Sequence, residues 1–141
     1  MSRHTRIFLI EPVPASRPRV SRYGTYYLPT YRNFKTDFNV LLREEAVPKH
    51  QGMLKVRIEC VVRKPKTTAR GHPIGDVDNY AKAVLDCLNG HMWEDDDQIV
   101  DLRVTKKYGE EGYIVVEVEN VKSDGKTKVP KVRSVRKRSK R

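Results

Sequence analysis

The sequence predicts a single mixed α/β (α+β) domain, in which helices pack on a mixed β-sheet. A chain of 141 residues suits one domain with a hydrophobic core. Its apolar residues recur at helical spacing in two segments and at strand spacing in four others. The predicted order is β-α-β-α-β-β. We assign residues 1–120 to this domain and residues 121–141 to a basic tail that we expect to be disordered.

Strands are predicted at residues 5–11, 53–62, 98–107 and 112–120. The second is the clearest, because its apolar residues alternate with charged ones, as in Leu54-Lys55-Val56-Arg57-Ile58. Residues 108–112, Tyr-Gly-Glu-Glu-Gly, predict a turn. We therefore expect the last two strands to pair as an antiparallel hairpin.

Helices are predicted at residues 31–46 and 79–89. In the first, Tyr31, Phe34, Phe38 and Leu42 recur every three or four residues, and Pro48 stops the pattern. The second has an apolar stripe that ends at Asn89-Gly90, a typical helix stop. The segment between the first strand and the first helix, residues 12–30, is rich in Pro, Arg and Tyr, and we expect it to be irregular.

Positive charge is concentrated at one end of the chain. The net charge is +11, and residues 121–141 contribute +9 of it, from ten Lys or Arg and one Asp. Residues 1–120 are therefore almost neutral. The tail is typical of a segment that binds a polyanion, so the function of the domain has to be sought elsewhere.

Several features predict a cytoplasmic protein with no membrane contact. No apolar run approaches the roughly 20 residues needed to span a bilayer. The start of the chain lacks a signal-peptide layout, because Glu11 and Pro12 interrupt its apolar stretch. Cys60 and Cys87 lie among apolar neighbours, so we interpret both as buried free thiols.

Two acidic groups flank the second predicted helix. Asp76 and Asp78 lie at its start, and Lys82 and Asp86 follow Asp78 at successive four-residue steps along one side. Residues 94–97, Glu-Asp-Asp-Asp, precede the next strand. If that strand lies beside the helix start, the two groups converge. Carboxylates crowded in this way repel each other and favour a bound Mg²⁺, Mn²⁺ or Ca²⁺, and two such ions can activate a water for attack on a phosphodiester.

Simpler interpretations of these residues stay open at this point. Asp78 is a good helix N-cap, which needs no metal. Residues 94–97 are also typical of a solvated turn. Lys82 and Asp86 have the spacing of a surface ion pair of little energetic worth. Spacing alone does not separate these interpretations from a metal site.

The same segment resembles the RusA family of Holliday junction resolvases. The resemblance rests on Asp76-Val77-Asp78-Asn79, Lys82, Leu85-Asp86, Trp93, Asp95-Asp96 and Gln98. It is close over residues 75–101, and Arg17-Pro18-Arg19 resembles the basic N-terminal loop of phage members. The long basic tail is not part of the family's pattern.

The resemblance implies a homodimer that cuts four-way DNA junctions with Mg²⁺, for which Mn²⁺ can substitute. It implies catalytic roles for Asp76, Asp78, Asp96 and Lys82, and metal binding by Asp76, Asp78, Asp95 and Asp96. Lys82 is expected to hold the scissile phosphate or to offset charge in the transition state. The residues expected to grip the DNA backbone are Arg17, Arg19, Arg22, Lys64, Lys66 and Arg70.

Two other functions are compatible with the sequence. In a non-catalytic nucleic-acid-binding module, the acids would only cap the helix or lie in solvent. DNA binding would then not respond to Asp→Asn changes. A different metal-dependent nuclease, such as a ribonuclease, would differ in its substrate. Cleavage of junction DNA, duplex DNA and RNA separates the three.

Overall fold

A computed structural model describes residues 3–17, 19–26, 28–45 and 47–122. It has six strands and two α-helices in the part of the chain that it describes. A 3₁₀ turn, Asp96–Gln98, precedes the fifth strand. In chain order the elements are β1 (Arg3–Phe8), β2 (Arg19–Ser21), β3 (Gly24–Tyr26), α1 (Pro29–Glu45), β4 (Leu54–Arg63), α2 (Val77–Leu88), β5 (Ile99–Gly109) and β6 (Tyr113–Asn120).

The main sheet has four strands in the order β1-β6-β4-β5. β4 and β5 are parallel and are joined by α2, whereas β6 is antiparallel to both β4 and β1. The mixed sheet and the order of its strands and helices confirm the predicted fold class. β2 and β3 form a separate short hairpin, which the sequence interpretation missed when it treated residues 12–30 as irregular.

The predicted hairpin between the last two strands is wrong, because β4 lies between β5 and β6. Two strand spacings are about 9.5 Å, and the four peptide steps from Gly109 to Tyr113 reach about 13 Å. The short turn is therefore long enough to cross the end of β4. Two glycines allow this crossing: a Cβ on Gly109 would lie 2.5 Å from Val61, and one on Gly112 would lie 1.9 Å from Glu11.

Both helices pack on one face of the sheet. Alternate residues of β4 and β6 face them, and these residues are buried while their neighbours are more exposed. The aromatic residues of α1, Phe34 and Phe38, pack in one core with Val84 of α2. Trp93 is fully buried in that core. This confirms that the predicted apolar stripes of both helices face the sheet.

The helices begin slightly earlier than predicted. α1 starts at Pro29, a residue suited to the first helical position because it has no N–H to leave unpaired. α2 starts at Val77, with Asp76 in the capping position and Asn89 at its C-terminal end. No helix of the described residues is long and apolar enough to cross a membrane.

The two cysteines are buried and free, as predicted. Burial raises the pKa of both thiols to about 12. Of the predicted tail, residues 123–141 lie outside the described part of the chain. Val121, at its predicted start, donates its N–H to the carbonyl of Met53 at 2.9 Å, so the backbone still contacts the domain there.

Candidate functional site

The first turns of α2 form one wall of a cleft of about 520 Å³. Four predicted residues of the helix segment line it: Asp76, Asp78, Lys82 and Asp86. The other wall consists of a segment after β1 and the start of α1. The remaining lining residues are Ala15, Ser16, Arg17, Tyr31, Lys35 and Asn79.

The two carboxylates at the helix start are exposed toward this cleft and are not used to cap the helix. Asp76, not Asp78, occupies the capping position, and its side chain makes no capping hydrogen bond. Its backbone carbonyl accepts the N–H groups of Asn79 and Tyr80 at 3.0 and 3.3 Å. The capping interpretation of Asp78 is therefore wrong, because Asp78 lies inside the first turn.

The loop before Asp76 is held from two sides. The Lys106 ammonium, on the helix-facing side of β5, donates to the Pro73 carbonyl at 2.8 Å and to the Gly75 carbonyl. The Tyr80 hydroxyl donates to the Ile74 carbonyl at 2.7 Å. Burial raises the pKa of Tyr80 to about 12, so this hydroxyl stays a donor at neutral pH. These bonds fix the backbone from which the Asp76 carboxylate projects.

Glycine at position 75 is required by the same loop. Its φ of +104° lies where side chains are strained, and a Cβ there would lie 3.1 Å from Pro14 and 3.2 Å from Tyr80. The segment containing Pro14 is itself attached to α2, because Ala15 donates its N–H to the Asn79 carbonyl at 2.9 Å. The two walls of the cleft are therefore connected at its floor.

Lys82 and Asp86 form the predicted ion pair along α2. The ammonium lies 3.1 Å from the Asp86 carboxylate, and the two side chains are 64% and 40% exposed. An exposed pair four residues apart on a helix contributes only about 0.3–0.5 kcal/mol. A phosphate in the cleft would therefore meet little competition for Lys82.

The second acidic group lies at the other end of α2. Asp95 and Asp96 are exposed, and Glu94 pairs with Lys49 at 2.8 Å. Gln98 holds this turn: its side-chain oxygen accepts the Glu94 N–H at 2.9 Å, and its amide donates to the Gly52 carbonyl at 2.9 Å. Gln98 is one of the residues on which the family resemblance rests, but the sequence did not predict that it holds the acidic turn.

Within one chain the two acidic groups do not converge, contrary to the expectation from the sequence. Asp76 follows the loop bound by Lys106, whereas Asp95 and Asp96 precede Ile99, the first residue of β5. Seven residue steps along β5, from Ile99 to Lys106, separate these points, or roughly 23 Å. No three His, Cys, Asp or Glu side chains of the described residues come together as a metal site. Because β5 is parallel to β4, its first residue lies beside Leu54, at the end of the sheet far from the helix start, and the strand runs from there toward the helix start.

Of the predicted DNA-binding residues, Arg17 lines the cleft. Arg22 is exposed in the turn between β2 and β3. Lys64, Lys66 and Arg70 are exposed on the loop that leads from β4 to Asp76, but they do not line the cleft. Arg19 lies in β2, and its side chain is outside the described part of the structure, as is Pro18.

On the wall opposite the acids, the sequence interpretation named Arg17 as a DNA-binding residue and Tyr31 as a core residue, but it missed Lys35 and Ser16. Lys35 belongs to α1, and Ser16 lies in the segment predicted to be irregular. One signal was available for Lys35: it lies four residues after Tyr31, which is the spacing of neighbours on a helix surface. Nothing in the sequence placed Ser16 beside α2.

Comparison with known proteins identifies the family. The pattern of the family described as Endodeoxyribonuclease RusA matches residues 10–119, which is most of the chain. The chain belongs to the RusA endodeoxyribonuclease family. Among curated proteins, the uncharacterized protein YqaN of Bacillus subtilis (strain 168) is 50% identical over 46 residues. That match covers 33% of this chain and 32% of YqaN, so it spans about a third of each protein.

The RusA match includes both acidic groups and every residue that lines the cleft. Only β1 and the last strand residue of the main sheet fall outside it. The elements that build the cleft are therefore those of the RusA domain.

Proposed function

We propose that this protein is a Mg²⁺-dependent endodeoxyribonuclease that resolves four-way DNA junctions by paired symmetric nicks. Membership of the RusA family supports nuclease chemistry on DNA. The observation that carries the proposal is the cleft at the start of α2, where Asp76 and Asp78 face a wall bearing Arg17 and Lys35. Carboxylates opposite cations are suited to hold a metal ion and a phosphate side by side.

The residues of the cleft fit a hard divalent cation. Asp76 and Asp78 offer only oxygen ligands, and the Asp76 side chain is not engaged in capping. Mg²⁺ is commonly bound through one or two carboxylates, with water and substrate phosphate completing its shell. When bound, the cation activates water and offsets the charge of the phosphate.

The four predicted residues of the helix segment have defined tasks in this proposal. Asp76 and Asp78 hold the cation at a fixed place, because Lys106 and Tyr80 fix the backbone before them. Lys82 moves from its weak pair with Asp86 to the scissile phosphate and stabilises the charge that develops there. Asp86 positions Lys82 between turnovers.

We propose further that a homodimer completes each active site. Asp95 and Asp96 lie roughly 23 Å along the strand from Asp76 in the same chain, and a two-fold axis near the middle of β5 would reverse that order. The partner's acidic turn would then face the helix start of the first chain. The resulting site would combine Asp76 and Asp78 of one chain with the equivalent of Asp95 and Asp96 from the other.

Exposed apolar residues support this arrangement. Val100 and Leu102 are 57% and 42% exposed at one end of β5, and Ile74 and Val77 are 69% and 42% exposed at the other. β5 is also an edge strand of the main sheet. In a two-fold interface, the patch at one end of β5 contacts the patch at the other end of β5 in the partner chain. The same contact then occurs twice, and all four patches become buried. Two nicks in symmetry-related strands then follow from two equivalent sites.

The first test is cleavage of a synthetic four-way junction with Mg²⁺, compared with linear duplex DNA and with RNA. Paired symmetric nicks in the junction, absent for Asp76→Asn while junction binding persists, are the expected result. Equal binding by both proteins without any cut would leave only a DNA-binding module. Preferred cleavage of RNA would instead identify a ribonuclease.

The second test separates a shared site from a site within one chain. Asp76→Asn and Asp96→Asn proteins should each be nearly inactive alone. A mixed dimer with a shared site has one site with both changes and one unchanged site. Mixing after denaturation and refolding should therefore restore single nicks. If each site lay within one chain, every site in the mixture would carry a change and no nicking would return.

A further inference from the structure

The wall of the cleft opposite the acids contains an unused hydrogen-bonding group. The Ser16 hydroxyl oxygen is buried, and it has no hydrogen-bond partner among the described residues. It lines the cleft on a segment fixed to α2 by the bond from Ala15 to Asn79. Buried polar atoms are normally paired, so this hydroxyl can gain a partner when a ligand enters the cleft.

Lys35 is held in a restricted position on the same wall. Its ammonium lies 4.6 Å from the ring centre of Tyr31, a cation–π distance. Tyr31 is only 3% exposed, so the ring is a rigid support. Burial raises the pKa of the Cys87 thiol on α2, and the Lys35 charge opposes that rise. The Lys35 charge therefore lies on the side of α1 that faces α2.

The charges of the cleft are arranged by wall. Asp76, Asp78 and Asp86 lie on the α2 side, where Lys82 pairs with Asp86. The opposite wall carries two cations, Arg17 and Lys35, and no carboxylate lines the cleft there in the described structure. A divalent cation at Asp76 and Asp78 would leave the whole cleft positive. One anionic phosphate at Lys82 would still leave the opposite wall with positive charge to offset.

We infer that Ser16, Arg17 and Lys35 form a second phosphate subsite, which holds a DNA backbone phosphate next to the bond that is cut. This inference rests on the proposed nuclease function and adds a second anchor for the same strand. Lys35 and Arg17 supply charge, and the Ser16 hydroxyl donates to a phosphate oxygen. Charge-assisted hydrogen bonds to phosphate are the strong class of such bonds. Two anchored phosphates would fix the direction of the strand, as well as its position, in the cleft.

The test couples one side chain to one phosphate. Junctions are made with a single neutral methylphosphonate at each position around the cut, and the dissociation constant is measured with Ca²⁺ for wild type and for Lys35→Gln. At one position beside the cut the wild type should lose about tenfold in affinity. Lys35→Gln should lose a similar factor on unmodified DNA and little more when that phosphate is neutral. Lys35→Arg should show the same loss of affinity as the wild type when that phosphate is neutral. Ser16→Ala should show a smaller loss at the same phosphate.

Arg43→Gln is the matched control, because Arg43 lies in the last turn of the same helix and does not line the cleft. It should respond to every methylphosphonate as the wild type does. Circular dichroism and thermal melting establish that each variant is folded. Additive effects of Lys35→Gln and methylphosphonate at every position would overturn the inference, even if the wild type cleaves junctions normally. Failure of the wild type to cleave any junction would remove the proposed function and this inference together.

Discussion

The two ends of α2 carry similar acidic residues in different surroundings. At its start, Asp76 and Asp78 lie in a cleft whose backbone is fixed by Lys106 and Tyr80. Beyond its other end, Asp95 and Asp96 are exposed on a short turn held by Gln98. The first pair lines a cavity with facing cations, whereas Asp95 and Asp96 are exposed beside a pair formed by Glu94 and Lys49.

This difference shows how two carboxylate pairs near in sequence can be separated by regular structure. Asp78 and Asp95 are joined by a helix of about 18 Å and a turn at its far end. The exposed carboxylates Asp95 and Asp96 have few contacts within their own chain, so a catalytic role for them depends on groups from another molecule. In the proposed dimer, the cleft of one chain and the exposed turn of the other complete each other.

The largest effects should come from removing a carboxylate charge at either end. Asp78→Asn and Asp96→Asn should each reduce junction cleavage by about a hundredfold or more, the loss expected for a preorganised charged group. Asp97→Asn is the control, since it lies in the same 3₁₀ turn outside the predicted site. Single-turnover cleavage rates measure all three. Full activity of Asp96→Asn would show that the acidic turn beyond the C-terminal end of α2 is not part of the active site.

Lys106→Met should reduce cleavage by about tenfold to a hundredfold, because the loop before Asp76 loses both of its bonds to the ammonium. The dependence of the rate on Mg²⁺ concentration should shift to higher concentrations. Lys107→Met is a matched control: its ammonium lies 3.5 Å from Glu59 on the opposite face of the sheet. Equal losses in both variants would mean a general effect of strand β5.

Gln98→Leu tests the corresponding support at the other end. The change removes bonds to the Glu94 and Asp95 N–H groups and to the carbonyls of His50 and Gly52. We expect it to lower the free energy of unfolding by about 1–2 kcal/mol and to reduce cleavage less than Asp96→Asn does. Urea unfolding and cleavage rates give both numbers. Unchanged stability would show that other contacts hold the turn.

The smallest effect concerns pH. The pKa of His50 is lowered from 6.5 by burial and by the charges of His4 and Arg6. The unfolded chain therefore binds a proton more readily than the folded one, and this contribution to stability is lost as pH falls below 6.5. Melting temperatures of wild type and His50→Asn should diverge less at pH 5.5 than at pH 7.5. A constant difference across that range would contradict the assignment.

The sequence was sufficient for elements that depend on local spacing. The apolar stripe of α1 and the alternation of β4 each depend on neighbours within a few residues, and both were predicted close to their observed limits. The position of Asp76 and Asp78 at a helix start followed from the same kind of pattern. Membership of the RusA family was predicted from the acidic segment and is confirmed by the match to residues 10–119.

Pairing across long distances was not predictable in the same way. Residues 108–112 look like a hairpin turn, yet the choice of strand partner depends on β4, more than 40 residues earlier in the chain. The placement of Asp95 depends on the direction of β5, which no local residue determines. Lys35 faces the cleft only because α1 and α2 lie on the same side of the sheet.

The pairing of β1 with β6 has a consequence for how the chain folds as it is synthesised. Arg3 pairs with Glu119, so the first strand has no partner in the main sheet until the last strand of that sheet has been made. Contacts between residues so distant in sequence form slowly. Meanwhile β1 is a free strand edge that other nascent chains could pair with. The charges of Arg3 and Arg6 oppose such association, and they protect the protein at the stage when its sheet is still open.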